Sequence, residues 1–266
     1  MKPGSFWIIG CGNMAGAMLR RWIETGMDTS RLRVVDPAMP ELPGGLIALP
    51  AIPDDATPAS RVLLAVKPQL LDAVAADVAR LVGPGTQLLS ILAGVETAAL
   101  KARFPEATQI VRIMPNLPAA LGKGVIALFS ADGPNPATSD LMAPLGLVEW
   151  IDHEDALHLV AALAASGPAF LYRFIDALGV AGARLGLAPD QAARLALAMV
   201  EGSALLAAQA GETPAVLADR VASKGGMTRE GLNVLDADEA LVRLLINTLE
   251  AARNRSAEMG EAAKHA

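Results

Sequence analysis

FWIIGCGNMAGAML, residues 6–19, decides the fold of this chain. Four apolar residues run directly into Gly10-Cys11-Gly12, and a second apolar run with helical spacing follows. A first glycine permits a tight turn from a strand into a helix, and a second lets the backbone approach a ligand closely. The helix N-terminus then offers free N–H groups and a positive dipole end to an anion. The stretch therefore predicts a dinucleotide-binding turn, with a strand-to-helix turn that binds no ligand as the alternative.

Asp36 ends the second apolar run, RLRVVD, twenty residues beyond Gly16. A carboxylate there can accept hydrogen bonds from a ribose 2′-hydroxyl and repels a 2′-phosphate. The following residues 37–39 carry no cation, so this position favours NADH over NADPH. The alternative is that Asp36 merely caps the loop. We expect this part of the chain to bind the cofactor through Gly10, Cys11, Gly12, Asn13, Met14 and Asp36.

The first half of the chain alternates apolar runs with helical patterns, which is typical of β-α-β units around a mostly parallel sheet. Residues 37–58 interrupt this alternation with six prolines and no convincing helix. Strands are predicted at 6–10, 31–36, 61–66, 87–92, 109–113, 125–129 and 147–151, and helices at 13–26, 69–82 and 96–103.

After about residue 153 the strand pattern stops and apolar residues recur every three to four positions, as in helices. The predicted helical segments are 154–186, 189–210, 213–222 and 238–260. The fold class is thus α/β, with a Rossmann-type dinucleotide-binding domain over 1–152 and an all-α domain over 153–266. The helical half is apolar on more than one face, so we expect an obligate homodimer formed through it, with each active site near the subunit interface.

Composition excludes several classes of protein. The formal net charge of −6 and the lack of a basic stripe argue against a nucleic-acid partner. A single cysteine, Cys11, is typical of a reducing cytoplasm, and no uninterrupted apolar run reaches the length of a membrane span. His153, His158 and His265 lack metal-ligand spacing, so no metal site is expected.

Two further stretches carry candidate site residues. AVKPQ, residues 65–69, follows a strand at the edge where open α/β sheets bind ligands, although Lys67 could equally be a solvated surface lysine. ASKGGMTREGLNVLD, residues 222–236, places paired glycines and two hydroxyls before a helix, where a turn can bind a carboxylate. A plain helix–helix turn is the alternative. In ASGPAF, residues 165–170, small residues within a helical pattern indicate a close approach of backbone or ligand.

The ordered motifs of the whole chain resemble those of pyrroline-5-carboxylate reductases. They are GCGNMAGAML, LLAVKPQ, SILAGV, VRIMPNLPAALGKGV, SGPAFLYRFIDALGVAGARLGL and VASKGGMTREGLNVLD. The resemblance implies NAD(P)H-dependent reduction of Δ1-pyrroline-5-carboxylate to L-proline, the last step of proline biosynthesis. It also implies an N-terminal Rossmann domain, a C-terminal helical dimerisation domain and a cofactor held by the turn Gly10–Met14. We further expect cofactor contacts at Ala65, Val66, Lys67, Pro68 and Asn116.

In that family the loop matching residues 223–228 faces the substrate carboxylate and usually reads Ser-Pro-Gly-Gly-Thr-Thr. Here Lys224 replaces the proline and Met227 replaces the first threonine, while Thr228 is kept. Reducing a protonated cyclic imine needs hydride and positioning rather than a strong acid. Thr228 is the candidate catalytic residue near the imine nitrogen. Substrate binding is expected from Ser223, Lys224, Gly225, Gly226, Met227 and Thr228.

Two other functions compete with this interpretation. A β-hydroxyacid dehydrogenase also joins a Rossmann domain to a helical one, but it uses a helix-borne lysine, and residues 151–223 contain no lysine. A non-catalytic dinucleotide-binding sensor or scaffold would fit the altered 223–228 loop. Binding of the dinucleotide without turnover of pyrroline-5-carboxylate would favour it.

Overall fold

The computed structural model describes residues 4–264, with side chains described as far as residue 261. His265 therefore lies outside the described residues. The chain divides into two compact units: residues 4–166 together with 251–264, and residues 167–250. The strands all lie in the first unit, and the second unit is helical.

A seven-stranded sheet has the order β2-β1-β3-β4-β5-β6-β7. The first five strands are parallel, β6 is antiparallel to β5, and β7 is parallel to β6. All seven predicted strands are confirmed, as is a sheet that is parallel in its first half. The strands are β1 (Phe6–Ile9), β2 (Leu32–Val35), β3 (Arg61–Leu64), β4 (Gln87–Ser90), β5 (Gln109–Met114), β6 (Gly124–Phe129) and β7 (Gly146–Trp150).

Four helices accompany these strands. Those after β1, β3 and β4 were predicted, whereas the helix between β6 and β7 was not. Its N-cap, Asn135, accepts backbone hydrogen bonds from Ala137 and Thr138, and Pro136 occupies its first position. The four are α1 (Asn13–Glu24), α2 (Leu71–Ala79), α3 (Thr97–Arg103) and α4 (Pro136–Met142).

Side chains of the first five strands alternate between two apolar clusters. Ile8 packs in one cluster with Trp22 of α1, and its neighbours Trp7 and Ile9 pack in the other with Leu81. Each fully buried large apolar side chain contributes about 1.5–3 kcal/mol, so both faces stabilise the strands that carry the site. The inner strands β1, β3, β4 and β5 are buried on both faces, which explains their nearly continuous apolar sequences.

The segment between β2 and β3 contains no α-helix, as its prolines predicted. It has one short 3₁₀ turn, Pro43–Gly45, and Leu49 forms an isolated parallel bridge with Val35. The backbone N–H of Asp36 donates to the carbonyl of Leu49 at 2.9 Å. The segment is therefore fixed beside the carboxyl end of β2.

The rest of the chain is helical, as predicted. A π-helical turn, Ala161–Ala165, separates the first two helices, so the small residues at 165–170 mark a change of helix geometry. The end of the strand pattern and the helical spacing that follows put a domain boundary near residue 152, and this boundary stays a prediction. The helices are α5 (Ala156–Val160), α6 (Gly167–Arg184), α7 (Pro189–Gln209), α8 (Pro214–Val221), α9 (Met227–Asp236) and α10 (Ala240–Lys264).

The second unit buries little of its apolar surface within one chain. Over residues 167–250 only four residues are buried, and all four are small: Gly179, Ala192, Ala196 and Ala222. Large side chains such as Leu185 and Leu206 are 89% and 63% exposed. Among the described residues, the helical stretch Ala156–Arg184 is by length and composition apolar enough to cross a membrane, and little of it is buried within the chain. So much exposed apolar surface needs a covering partner.

Candidate active site

The turn after β1 has the geometry predicted for a dinucleotide-binding turn. Gly10 has φ +87°, and a Cβ there would lie 2.8 Å from the carbonyl oxygen of Ala65 and 2.9 Å from the nitrogen of Val66. Only glycine fits this position, because both the backbone conformation and the space exclude a side chain. The backbone of β1 and the segment after β3 therefore touch at Gly10.

Gly12 differs from Gly10 in its surroundings. It is exposed, has φ −69°, and a Cβ there would meet nothing within 4 Å. Gly12 is also the N-cap of α1, where no side chain caps the helix. The first N–H groups of α1 thus have no side-chain cap, which leaves this helix N-terminus available to an anion.

Asp36 is hydrogen-bonded to the turn itself. Its Oδ2 accepts the backbone N–H of Cys11 at 2.8 Å, and its Oδ1 accepts that of Ala38 at 2.9 Å. Both interpretations of Asp36 therefore have support: it caps the local loop, and its half-buried carboxylate has further lone pairs for a ribose hydroxyl. The carboxylate also sets the position of the glycine turn.

A cavity of about 370 Å³ brings together most of the predicted cofactor residues. The lining also includes Pro50, Ala51 and Ile52, which sequence reasoning missed. Asp36 and Asp77 are the carboxylates of this lining and Lys67 is its cation. The predicted residues in the lining are Gly10, Cys11, Gly12, Asp36, Ala65, Val66 and Lys67.

Cys11 lies in the turn and is buried. Burial raises the pKa of its thiol, and the charge of Asp36 raises it further, against a smaller opposing effect of Arg20. The thiol therefore stays protonated at neutral pH, and Cys11 serves the turn through its backbone.

The other predicted cofactor residues have varied surroundings. Lys67 is exposed and precedes a 3₁₀ turn that starts at Pro68, so its ammonium is free to reach the cavity. Asn13 is exposed, and Met14 packs partly against the core. Asn116 is buried, accepts the N–H of Val125 and donates to the carbonyl of Ala164, each at 2.9 Å. These bonds give Asn116 a structural role; cofactor contact by it stays a prediction.

The loop predicted to bind the substrate carboxylate joins α8 to α9. Gly225 has φ +70°, and Gly226 is the uncapped N-cap of α9 and donates its N–H to the carbonyl of Ser223 at 3.0 Å. Arg229 and Asp219 form an ion pair at 2.7 Å that joins the two helices. The loop can thus present N–H groups at a helix N-terminus to an anion.

Side chains of this loop differ in exposure. Thr228 lies in the first turn of α9 and is half-buried, Ser223 and Lys224 are exposed, and Met227 is 92% exposed. The Met227 side chain therefore makes little contact with its own chain. Ser223 to Thr228 belong to the second compact unit and the cofactor cavity to the first.

One ionic cluster had no sequence signal. Glu154 accepts bonds from the Arg112 guanidinium at 2.8 Å and from the backbone N–H of Thr97 at 2.7 Å. Burial raises the pKa of Glu154, but the bonds from Thr97 and Arg112 outweigh it and hold the pKa below its ordinary value. Arg112 is on β5 and Thr97 begins α3, so the cluster fixes the chain just before α5 to the sheet unit.

No cluster of metal-ligating residues occurs in the part of the chain that the structure describes. His158 instead contacts Ser256, with 3.0 Å between Nδ1 and Oγ. The cofactor cavity and the loop 223–228 each offer backbone and charged groups for binding and orientation, and the loop adds hydroxyl groups.

Comparison with known proteins agrees with this geometry. A family model described as pyrroline-5-carboxylate reductase dimerisation matches residues 154–259. The pyrroline-5-carboxylate reductase of Pseudomonas aeruginosa is 33% identical to this chain, and the alignment covers 95% of this chain and 96% of the Pseudomonas protein. A solved pyrroline-5-carboxylate reductase from Coxiella burnetii has a TM-score of 0.87 at 30% identity, covering 97% of this chain and 99% of that one.

A more distant structure shows the same fold. Plasmodium falciparum pyrroline carboxylate reductase, solved with NADP bound, has a TM-score of 0.81 at 24% identity over 98% of this chain and 99% of its own. Together with the strand order, these likenesses confirm the predicted combination of a dinucleotide-binding sheet domain and a helical domain.

Proposed function

Since this chain belongs to the pyrroline-5-carboxylate reductase family, we propose that it reduces Δ1-pyrroline-5-carboxylate to L-proline with NAD(P)H, the last step of proline biosynthesis. The observation that carries the proposal is the joint presence of an uncapped glycine turn with its cavity and an uncapped Gly-Gly helix start. The relatives' names supply the substrate, and the chain matches them over nearly its whole length.

The cofactor residues fit a nicotinamide dinucleotide. Gly12 leaves open space at the N-terminus of α1, where a pyrophosphate can approach the backbone. Asp36 has lone pairs for a ribose hydroxyl, and Ala65, Val66 and Lys67 line the same cavity. When bound, the reduced nicotinamide supplies the hydride.

We infer that NADH is preferred over NADPH. The cavity lining contains two carboxylates, Asp36 and Asp77, against the single cation Lys67. A 2′-phosphate beside Asp36 would meet like charge, whereas a ribose hydroxyl would donate a hydrogen bond to it. The Plasmodium structure with NADP bound is 24% identical to this chain, and at that identity it shows a shared fold and leaves the cofactor preference open to test.

The chain's own residues would act on the substrate mainly by positioning. The loop 223–228 presents backbone N–H groups and Lys224 to the substrate carboxylate. The hydroxyl of Thr228 would hydrogen-bond near the imine nitrogen and orient the ring for hydride delivery. A protonated imine is already electrophilic, so this reaction needs no metal-binding cluster.

The proposal also covers the oligomeric state of the protein, its partners and its cellular location. The family model covers a dimerisation region, and residues 167–250 bury almost none of their large apolar side chains alone. We infer a homodimer or an assembly of dimers, with a small molecule as substrate and neither nucleic acid nor membrane as partner. The single reduced, buried Cys11 supports a cytoplasmic location.

The test is oxidation of NADH and of NADPH by the purified protein with pyrroline-5-carboxylate and, separately, with a panel of 3-oxo acids. Formation of L-proline, equal to the cofactor consumed, is the expected result. Turnover of a 3-oxo acid alone would establish a dehydrogenase of the β-hydroxyacid type. Dinucleotide binding without any turnover would identify a sensor or scaffold and contradict the proposal.

A further inference from the structure

The loop between β4 and α3, residues 91–96, lies directly against the last part of α10. Gly94 has φ +75°, and a Cβ there would lie 3.2 Å from both the Cα and the nitrogen of Gly260. Gly260 is buried, and its own Cβ would lie 3.4 Å from the carbonyl oxygen of Gly94. The two backbones therefore approach to a distance that only small residues permit.

Both elements of this contact are held by hydrogen bonds. Ser256, one turn before Gly260 on α10, contacts the imidazole of His158 with 3.0 Å between Oγ and Nδ1. Thr97, which follows the loop, donates both its N–H and its hydroxyl to Glu154. Residues 91–96 are thus held between the end of β4, the Glu154 carboxylate and the helix α10.

The loop also lies at the carboxyl ends of the strands, where open α/β sheets bind their ligands. The N–H of Ile91 donates to the carbonyl of Leu64 at 3.0 Å, which places the loop beside the segment that follows β3. Residues of both segments and of α10 line a cavity of about 390 Å³. Its lining includes Pro68, Gln69, Ala93, Val95 and Met259.

The strand order indicates which part of the cofactor this loop would face. In an open α/β sheet a dinucleotide lies across the point where the strand order reverses, here between β1 and β3. Asp36 follows β2 and marks the adenosine side. The nicotinamide end would then extend over β3 and β4, toward the loop 91–96.

We propose that Gly260 is a positioning residue: by seating Gly94, it fixes the loop 91–96 against the nicotinamide end of the cofactor. The kinetic effect that this proposal predicts rests on the function proposed above. It assigns to the last turns of α10 a part in hydride transfer that acts through the loop 91–96. A displacement of about 1 Å at the reacting end can cost on the order of 10²-fold in rate.

The test compares Gly260→Val, Gly260→Ala and a matched control, Arg253→Val, which places the same β-branched residue on an exposed part of α10. The first readout is amide hydrogen exchange of residues 91–96 in the protein alone. The second is the fluorescence of bound NADH, which arises from its dihydronicotinamide ring. The third is kcat and its isotope effect with NADH deuterated at the transferred position.

Gly260→Val should speed exchange over residues 91–96, change the emission of bound NADH, lower kcat about 10–100-fold and raise the isotope effect. The dissociation constant of NADH should change less than about threefold, since the glycine turn and Asp36 are untouched. Gly260→Ala and Arg253→Val should resemble the unchanged protein, because the alanine Cβ meets its neighbours at ordinary contact distance.

A lower kcat with an unaltered isotope effect and unaltered NADH emission would indicate only a loss of folded protein. That result would overturn the proposal. Equal behaviour of Gly260→Val and Arg253→Val would do the same. If Gly260→Val does not fold, Gly260→Ser gives the smaller displacement and should show the same changes to a lesser degree. If the unchanged protein does not reduce pyrroline-5-carboxylate, the proposed function fails, and the exchange and fluorescence measurements still decide this inference.

Discussion

The carboxylate of Asp36 accepts a hydrogen bond of 2.8 Å from the backbone N–H of Cys11, so the acid after β2 holds the glycine turn after β1. Its second oxygen accepts the N–H of Ala38. One side chain thus fixes the cofactor turn and bounds the cavity at the expected ribose position. Substitutions at Asp36 will consequently affect both cofactor preference and turn geometry.

We expect NADH to give a higher kcat/KM than NADPH, and Asp36→Asn to reduce this preference. The amide removes the charge that repels a 2′-phosphate but weakens the bond to Cys11. A hydrogen bond to a charged group contributes about 1.5–3 kcal/mol, so kcat/KM with NADH should fall about tenfold or more. Steady-state kinetics with both cofactors measures the ratio, with the exposed Asp132→Asn as control. A tenfold advantage for NADPH in the unchanged protein would refute the ribose role of Asp36.

Gly10→Ala and Gly12→Ala should separate folding from cofactor binding. At Gly10 the alanine meets a positive φ and backbone atoms at 2.8–2.9 Å, so unfolding free energy should drop by about 2–4 kcal/mol. At Gly12 the methyl group enters open space and stability should change by less than about 1 kcal/mol.

Gly12→Ala should lower the affinity for the dinucleotide, because the added methyl group occupies the space through which the pyrophosphate approaches the backbone. We expect at least a tenfold weaker NADH titration in a variant that unfolds in urea like the unchanged protein. Normal NADH affinity in Gly12→Ala would show that the pyrophosphate does not approach this glycine.

The strands and the glycine turn could be predicted because their signals are local. Parallel strands buried on both faces are continuous apolar runs, and the turn needs glycine where Ala65 and Val66 pack against it. Helix α4 was missed because its large apolar residues, Leu141 and Met142, are adjacent at its end and give no apolar period. Its usable signal was the cap pair Asn135-Pro136.

The remaining site features depend on contacts between distant residues. Pro50 to Ile52 line the cofactor cavity because Leu49 bridges to Val35, and nothing in a proline-rich segment encodes that bridge. Glu154 and Arg112 are 42 positions apart, and Gly94 and Gly260 are farther still. Such pairs are set by tertiary packing, which neither periodicity nor composition reports.

Thr228→Ala should slow turnover of pyrroline-5-carboxylate by about 10–100-fold, as expected for the loss of an uncharged hydrogen bond at the reacting end. Binding of NADH should stay nearly unchanged, because the glycine turn is intact. Thr228→Ser keeps the hydroxyl and serves as the matched control. Steady-state kinetics and NADH titration check both. Unchanged turnover in a folded Thr228→Ala protein would remove this residue from the site.

Glu154→Gln should destabilise the protein at pH 7 and have progressively less effect in acid. The pKa of folded Glu154 is lowered from 4.5, so its stabilisation is complete above that value and is lost as pH falls through the folded pKa. The loss at pH 7 should be about 1–3 kcal/mol, because Arg112 keeps a neutral acceptor. Urea unfolding at pH 7 and at lower pH measures the difference. The control Glu258→Gln, which breaks an exposed ion pair with Arg255, should change the stability very little at either pH. An effect of Glu154→Gln that stays constant at every pH would contradict a stabilising role for the charged Glu154 carboxylate.

The assembly should be an obligate homodimer, or a closed assembly of dimers, through the helical half. Helix α7 buries only Ala192 and Ala196 within its own chain, while Leu205 and Leu206 are 51% and 63% exposed. Leu206→Glu would place a charge in the covered surface, where desolvating it is costly, so the protein should dissociate and lose both activity and stability.

Light scattering across a dilution series, with activity measured in parallel, checks the assembly. Glu201→Gln, an exposed polar change on the same helix, is the control and should leave mass and activity unchanged. Two copies that cover each other's helices would turn apolar surface on both into a shared core, which one copy alone cannot supply. An active, stable monomer of 27.4 kDa would show that the exposed leucines of α7 need no partner.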